Sequence, residues 1–313
     1  MIWPPWSAPW FKNIKPISYN IWPMADSSTG LTIGRWIAHH SSLAGMDLEI
    51  ALAHVLNCSR AFLLSHPEQE ISDSNLQRLE DWASQLAKHV PTAYLCGTQE
   101  FWGLSLAVDS RVLVPRPDTE TLVEQALICL ASREAEPTHR PGLQILDLGT
   151  GSGAIALAIA SERPDIQVHA SDYSQDSLAV ALGNSKALDL PIVFHHSNWF
   201  ENLNETYDVI AANPPYVDAK DPHMALLGAE PSHALIADNN GLADLDHISA
   251  NAAAYLREQG WLLLEHGYDQ GAAVRALMLD NGFIDVETRR DLGGNERVTW
   301  GQKAPVQANS FHE

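Results

Sequence analysis

Basic residues are scarce in this chain: 19 Lys and Arg stand against 39 Asp and Glu, a formal charge of -20 over 313 residues. A surface this acidic repels phosphate backbones, and no run of Lys and Arg concentrates a basic patch, so direct contact with nucleic acid is not expected. Cysteine is rare. Cys58, Cys96 and Cys129 are odd in number, widely spaced and without a C-x-x-C pair, which argues against a disulfide framework and offers no zinc site. No metal is expected, and a reducing cytoplasm fits best. Long apolar runs are missing too: the stretches 154–160 and 261–264 fall well short of the ~18 residues a membrane span requires. The first 23 residues are rich in Trp and Pro but contain neither a continuous apolar core nor a small-residue cleavage site, so they are not a secretory signal. A disordered aromatic arm and a non-native leader ahead of an internal start at Met24 explain them equally.

What is present is ordinary globular material, 45% hydrophobic and 19% charged, in a chain long enough for about two domains. The expected order is a leader (1–26), a small all-α bundle for substrate recognition (27–92), a β-hairpin linker (93–114), a second domain (115–303) and a tail (304–313). In the bundle, Ile33, Trp36 and Ile37 recur at helical spacing, Asp47 is placed to cap a helix through Leu56, and Ser72 or Asp73 opens one carrying Leu76, Leu79, Trp82, Leu86 and Val90, which Pro91 ends. Phe101, Trp102, Leu104, Leu106 and Val108 alternate around Gly103 as a hairpin. In Val114-Pro115-Arg116-Pro117-Asp118-Thr119-Glu120 the residues Asp118 and Thr119 suit either a helix cap or a loop over a ligand.

From Gln144 onward, strand runs alternate with helical runs. The strands are 144–148, 166–170, 192–195, 207–212, 261–265, 283–288 and 297–300, which together specify an α/β fold: a doubly wound, largely parallel, Rossmann-like sheet. The first strand breaks into Gly149-Thr150-Gly151-Ser152-Gly153 ahead of a helix whose free amides face whatever the loop holds. Gly149, Gly151 and Ala154 satisfy the dinucleotide pattern G-x-G-x-x-G/A, so a nicotinamide-linked enzyme is one reading. Asp147, two residues before the first glycine, favours another: at the strand's end it would repel a pyrophosphate and attract the sulfonium and ammonium of S-adenosylmethionine. Asp172 lies 19 residues beyond Gly153, near the interval at which an acidic side chain meets a ribose.

The run Asp208 to Ala212 ends in Asn213-Pro214-Pro215-Tyr216. Two prolines remove two amide donors, leaving the Asn213 side-chain carbonyl and the Pro214 backbone carbonyl as acceptors for one planar NH2 group, with the Tyr216 ring against it. Alone, the motif also reads as a proline-rich turn after a strand.

Together, D-x-G-x-G-x-G, Asp172 and N-P-P-Y resemble the seven-strand S-adenosylmethionine methyltransferases that modify a planar NH2, a group that includes N6-adenine enzymes acting on nucleic acid and enzymes acting on glutamine. Residues 113–120 separate these branches. With the helical N-terminal domain, Glu230 to Leu235, Leu263 to Gly267 and Asn295 to Val298, they closely resemble the peptide chain release factor glutamine N5-methyltransferases, the HemK or PrmC family, over about 31–302. The resemblance implies methyl transfer from S-adenosylmethionine to the glutamine of a Gly-Gly-Gln motif, by a monomer acting on a protein without membrane contact. It also implies that Asp147 and Gly149, Thr150, Gly151, Ser152 and Gly153 hold the cofactor's methionine part, that Asp172 binds the ribose, that Trp199 packs near the adenine, and that Asn213, Pro214, Pro215 and Tyr216 hold the amide. Asn198 departs from the family's Ser-Asp-Trp-Phe, which puts a polar adenine contact there in doubt; Trp199 also suits an ordinary core position.

Overall fold

The computed structural model describes residues 30–305 apart from 44, 136–141, 223, 225 and 226. The leader, residues 306–313 of the tail and part of the polar connection before Gln144 therefore lie outside the described residues. Contacts divide the chain into two units, Met1–Cys96 and Gly97–Glu313.

The first unit is helical among its described residues: α1 (Ile33–His39), α2 (Gly45–Leu56), α3 (Arg60–Ser65), α4 (Asp73–Leu86) and α5 (Thr92–Cys96). Its core takes Ile33, Trp36, Leu79 and Trp82 from the apolar positions read in the sequence and adds Leu48, Leu52 and Leu63. Thr32, Ser59 and Ser72 cap three of the helices by accepting backbone N–H bonds. Asp47 is not a cap. It sits inside the first turn of α2 and accepts from the Thr92 hydroxyl at 2.6 Å, tying α5 to α2.

The second unit opens with the hairpin β1 (Thr98–Phe101) and β2 (Leu104–Ala107), paired antiparallel. Residues 93–96, expected in the linker, are helical instead. Trp102 turns the hairpin at a φ of 54°, and the Glu120 carboxylate accepts its backbone N–H at 3.0 Å. Phe101 and Leu106 are buried in the same core as α6 (Glu120–Glu134) and α7 (Ala154–Glu162), so the hairpin is a packed part of this unit.

The seven-stranded sheet runs β5-β4-β3-β6-β7-β9-β8, with β3 (Gln144–Leu148), β4 (Gln167–Asp172), β5 (Val193–His196), β6 (Tyr207–Ala212) and β7 (Leu256–Glu265) parallel and β9 (Glu296–Lys303) antiparallel between β7 and β8 (Phe283–Arg290). α8 (Gln175–Leu188), the single distorted turn α9 (Asp238–Gly241), α10 (Ala243–Tyr255) and α11 (Gly271–Asp280) complete the alternation. The helix expected through Arg257 ends at Tyr255. Leu256 already pairs with Tyr207, and the chain then loops through Gln259, at a φ of 60°, before Trp261 resumes pairing with Val209. β6 is buried along its whole length, and β3 in all but its first residue, because helices cover both faces. Strand order reverses at β3, so the carboxyl ends of β3, β4 and β6 open a crevice there.

Candidate active site

The glycine loop is fastened to the end of β4. The amides of Gly149 and Thr150 both donate to the Ser171 carbonyl at 2.9 Å, and the Gly151 amide donates to Asp172 Oδ2 at 2.8 Å. Gly149, Gly151 and Gly153 take φ values of 81°, 55° and 87°, left-handed conformations that favour glycine. Gly153 also lacks room for a side chain, since a Cβ would lie 3.2 Å from that of Ala181.

Asp147 lies beneath this loop, fully buried, and does not line the cavity above it. Its Oδ2 accepts from the Thr150 hydroxyl at 2.6 Å and from the Ala156 amide at 3.1 Å, joining strand, loop and helix at one atom. Burial pushes its carboxyl up to about 7; the two hydrogen bonds oppose the rise and the nearby Asp172 charge adds to it. Asp172 sits at the cavity with its Oδ1 accepting from the Ser174 amide at 2.8 Å, and burial raises its carboxyl as well.

A cavity of about 260 Å³ occupies the crevice, lined among others by Gly149, Gly151, Asp172, Asn198, Trp199, Asn213 and Pro215. The Trp199 ring lies against Gly149: a Cβ there would be 3.4 Å from it. Trp199 holds a φ of 46°, and its carbonyl accepts from the Ser197 hydroxyl at 2.8 Å. Asn198 is turned to Glu201, donating at 2.9 Å. Thr150, Ser152, Gly153, Pro214 and Tyr216 do not line the cavity. Ser152 instead offers its carbonyl to Asn184 at 2.9 Å, and Pro214 is buried.

Beyond β6 the Asn-Pro-Pro-Tyr loop is anchored from several directions. Asn213 Nδ2 donates to Thr119 Oγ1 at 3.2 Å, leaving the Asn213 carbonyl oxygen as an acceptor. The Tyr216 hydroxyl donates to Glu265 Oε1 at 3.4 Å, and the Tyr216 carbonyl accepts from Gln270 Nε2 at 3.0 Å. Glu265 is 1% exposed at the end of β7; burial pushes it up to about 7, against the nearby Arg297 charge and bonds from Thr119 and Tyr216, with Asp118 adding to the rise. Arg297 pairs with Asp291 at 3.1 Å and Asp118 at 3.3 Å, while Arg116 pairs with Glu230, whose second oxygen accepts from the Val114 amide at 3.1 Å.

Residues 133–239 match the methyltransferase small domain and residues 38–97 match the PrmC N-terminal domain. The chain is 47% identical over 263 residues to the release factor glutamine methyltransferase of Salmonella typhimurium, covering 83% of this chain and 92% of that one. It is 46% identical over 268 residues to that of Pseudomonas aeruginosa, covering 84% and 94%. The chain belongs to the release factor glutamine methyltransferase family. It is a methyltransferase with the family's seven-strand sheet. The hMettl16 catalytic domain, solved in complex with the MAT2A 3'UTR hairpin 6, shares the fold at a TM-score of 0.50 and 16% identity, covering 71% of this chain and 81% of that one.

Within this methyltransferase, Thr119, Glu265, Arg297, Arg116 and Glu230 gather around the Asn-Pro-Pro-Tyr loop; the sequence offers Thr119 as a helix cap or part of a loop over a ligand, and the other four carry no individual expectation. Their signal was present as sequence segments that resemble the family. What no local pattern carries is that 94 residues separate Thr119 from the side chain it holds.

Proposed function

We propose that this chain transfers a methyl group from S-adenosylmethionine to the side-chain amide nitrogen, N5, of the glutamine in the Gly-Gly-Gln motif of peptide chain release factors. The observation that carries this reading is the orientation of Asn213: with its NH2 engaged by Thr119, its carbonyl oxygen remains to accept from a planar nitrogen at the mouth of the crevice.

The crevice fits the cofactor. Gly149 leaves the space that a side chain would fill beside the Trp199 ring, a flat apolar wall suited to an adenine. Asp172 spends one lone pair of each oxygen on a backbone amide and retains others for ribose hydroxyls. Gly149 and Gly151, which line the cavity, would hold the methionine part, while Thr150, Ser152 and Gly153 shape the loop and Asp147 braces it from below. S-adenosylmethionine supplies a methyl group made electrophilic by the adjacent sulfonium, which accepts the C–S electron pair as the methyl leaves.

The protein's task is the nucleophile. A carboxamide nitrogen is weak because its lone pair is delocalised into its own carbonyl. Accepting its two N–H groups at Asn213 Oδ1 and the Pro214 carbonyl localises density on nitrogen, aims it at the methyl carbon and offsets the positive charge that develops. The proton then leaves the methylated nitrogen, so no strong general base is needed. Tyr216, tied to Glu265 and Gln270, restricts the pocket to a flat group.

The acidic balance, 39 Asp and Glu against 19 Lys and Arg, suits a basic protein partner and disfavours an N6-adenine substrate within nucleic acid. The three cysteines are free, in keeping with a cytoplasmic protein, and no helix among the described residues is long and apolar enough to cross a membrane. We take the acting species to be the monomer. Incubation with labelled S-adenosylmethionine and, in parallel, a release factor, its Gln-to-Ala loop variant and duplex DNA tests the reading. Label is expected in the unmodified release factor alone; label in DNA, or in the loop variant, overturns it.

A further inference from the structure

We infer that Gln270 is a positioning residue that aims the Pro214 carbonyl at the substrate amide by holding the carbonyl of Tyr216, an inference that rests on the glutamine-amide reading above. Pro214 and Pro215 have no N–H to give and their φ angles are locked, and a residue that precedes proline is itself confined to extended conformations. The stretch from Asn213 to Tyr216 is therefore one stiff link, whose middle is aimed by whatever fastens its ends. Asn213 Nδ2, donating to Thr119 Oγ1, fastens the first end. Gln270 fastens the second, its Nε2 donating to the Tyr216 carbonyl at 3.0 Å from 54 residues along the chain.

Backbone groups around Gln270 set the direction of its amide. The Gly267 N–H can only donate, and it donates to Gln270 Oε1 at 2.8 Å; the Gln270 N–H returns a bond to the Gly267 carbonyl at 3.0 Å, closing a turn ahead of α11. With its oxygen committed to Gly267, the side chain has its NH2 left to turn outward, and what that NH2 meets are carbonyls: that of Tyr216 and, at a longer 3.4 Å, that of Asn240. The turn carrying Asn240 holds three successive left-handed residues, Asn239, Asn240 and Gly241, at φ values of 57°, 56° and 79°, a costly arrangement that persists only where packing holds it. Gly241 closes that side of the contact, since a Cβ there would lie 2.8 Å from Gln270 Nε2. Gln270 does not line the cavity, so its influence on the reaction runs through the loop and not through the cofactor.

The test compares the full chain with Gln270→Glu and Gln270→Met. The glutamate keeps an oxygen for Gly267 but, when ionised, turns an acceptor toward two carbonyls; the methionine offers neither group. At pH 8 both variants should lower kcat on release factor by about 10- to 100-fold, the size of loss that a misplacement of about 1 Å produces, with S-adenosylmethionine affinity within about twofold. A protonated carboxyl has an O–H for Tyr216 and an oxygen for Gly267, and one facing two carbonyls takes its proton above the ordinary value of about 4.3. The kcat of Gln270→Glu, divided by that of the parent chain at the same pH, should therefore climb by about threefold or more from pH 8 to about pH 5.5, while the ratio for Gln270→Met stays flat. A purely structural role lowers both alike at every pH. Full kcat in both variants, or a Gln270→Glu ratio that does not move with pH, overturns the positioning role. A readout on the unaltered chain needs no substrate: in 15N-labelled protein the Gln270 side-chain N–H bonded to Tyr216, assigned by its loss in Gln270→Glu, should exchange slowly, and exchange at the rate of an exposed glutamine also overturns the role. An unaltered chain that fails to methylate release factor refutes the glutamine reading instead, and the exchange measurement still decides whether Gln270 holds the loop.

Discussion

Asn213 Nδ2 donates to Thr119 Oγ1 over 3.2 Å, joining the first residue after β6 to the turn that precedes α6. The contact leaves the Asn213 carbonyl oxygen as the acceptor offered to a substrate, so removing that side chain should strike turnover rather than binding of the cofactor. Asn213→Ala is expected to lower kcat by about 100- to 1,000-fold, comparable to the loss of one oriented transition-state contact. Calorimetry should show cofactor affinity only modestly reduced, since Asn213 is one lining residue among many. Tyr216→Ala should raise KM for the release factor more than it weakens the cofactor. Wild-type turnover in Asn213→Ala would refute the mechanism.

Gly241 packs directly against the Asn-Pro-Pro-Tyr loop. A Cβ on it would stand 2.1 Å from the Tyr216 carbonyl oxygen, and its φ of 79° already penalises any other residue. Gly241→Ala must therefore displace either the loop or the turn at 238–241. We expect a loss of about 1–3 kcal/mol in unfolding free energy, measured by denaturant titration, together with a fall in kcat. Gly45→Ala, where a Cβ meets nothing within 4 Å, is the matched control and should leave both unchanged.

The cofactor wall can be probed at the closest approach of loop and ring. Gly149→Ala introduces a methyl 3.4 Å from the Trp199 ring at a φ of 81°, and Asp172→Asn replaces a carboxylate whose two oxygens hold the amides of Gly151 and Ser174. Both should weaken S-adenosylmethionine binding by about tenfold or more, equivalent to about 1.4 kcal/mol, while the protein still melts cooperatively. Unaltered affinity in both would place the cofactor elsewhere.

The sheet was legible in the sequence because five strands run parallel under helices on both faces and so read as apolar blocks between turn signals. Irregular edges were not: α5 is five residues long, and β7 begins five residues before Trp261 because of the excursion through Gln259. Gly149, Asp172, Trp199 and Asn213, which the sequence marks by spacing or motif, line one cavity. Asp147 was placed correctly in the chain but not in orientation. On a strand buried on both faces no alternation reveals which way a side chain points, and the carboxylate turned beneath the loop to meet Thr150 and Ala156. Thr119, Glu265 and Arg297 meet only through tertiary structure, so local periodicity is silent about them.

An enzyme carrying a formal charge of -20 should be drawn to a basic substrate domain from a distance. Stopped-flow association with a release factor is expected to slow by about tenfold or more as salt rises from low ionic strength to beyond physiological, because charges farther apart than the Debye length are screened. Dissociation should change less. An association rate indifferent to salt would refute electrostatic steering without touching the chemistry.

Asp147 makes a statement about stability as well. Its folded-state carboxyl is raised from 3.8 to about 7, so between those values the folded chain holds a proton that the unfolded chain has released. The stabilisation is fully present below about pH 4 and is lost as pH rises through about 7, at about 1.4 kcal/mol per pH unit for one proton. Glu265, raised from 4.5 to about 7, contributes with the same sign. Asp147→Asn keeps an acceptor oxygen for the Thr150 hydroxyl and the Ala156 amide but has no proton to lose. Denaturant titrations of the cofactor-free protein from pH 5 to pH 8 should therefore show the variant gaining on the parent chain as pH rises. Parallel pH profiles for the two proteins would mean that the Asp147 carboxyl is ionised throughout, its charge carried by the two hydrogen bonds alone.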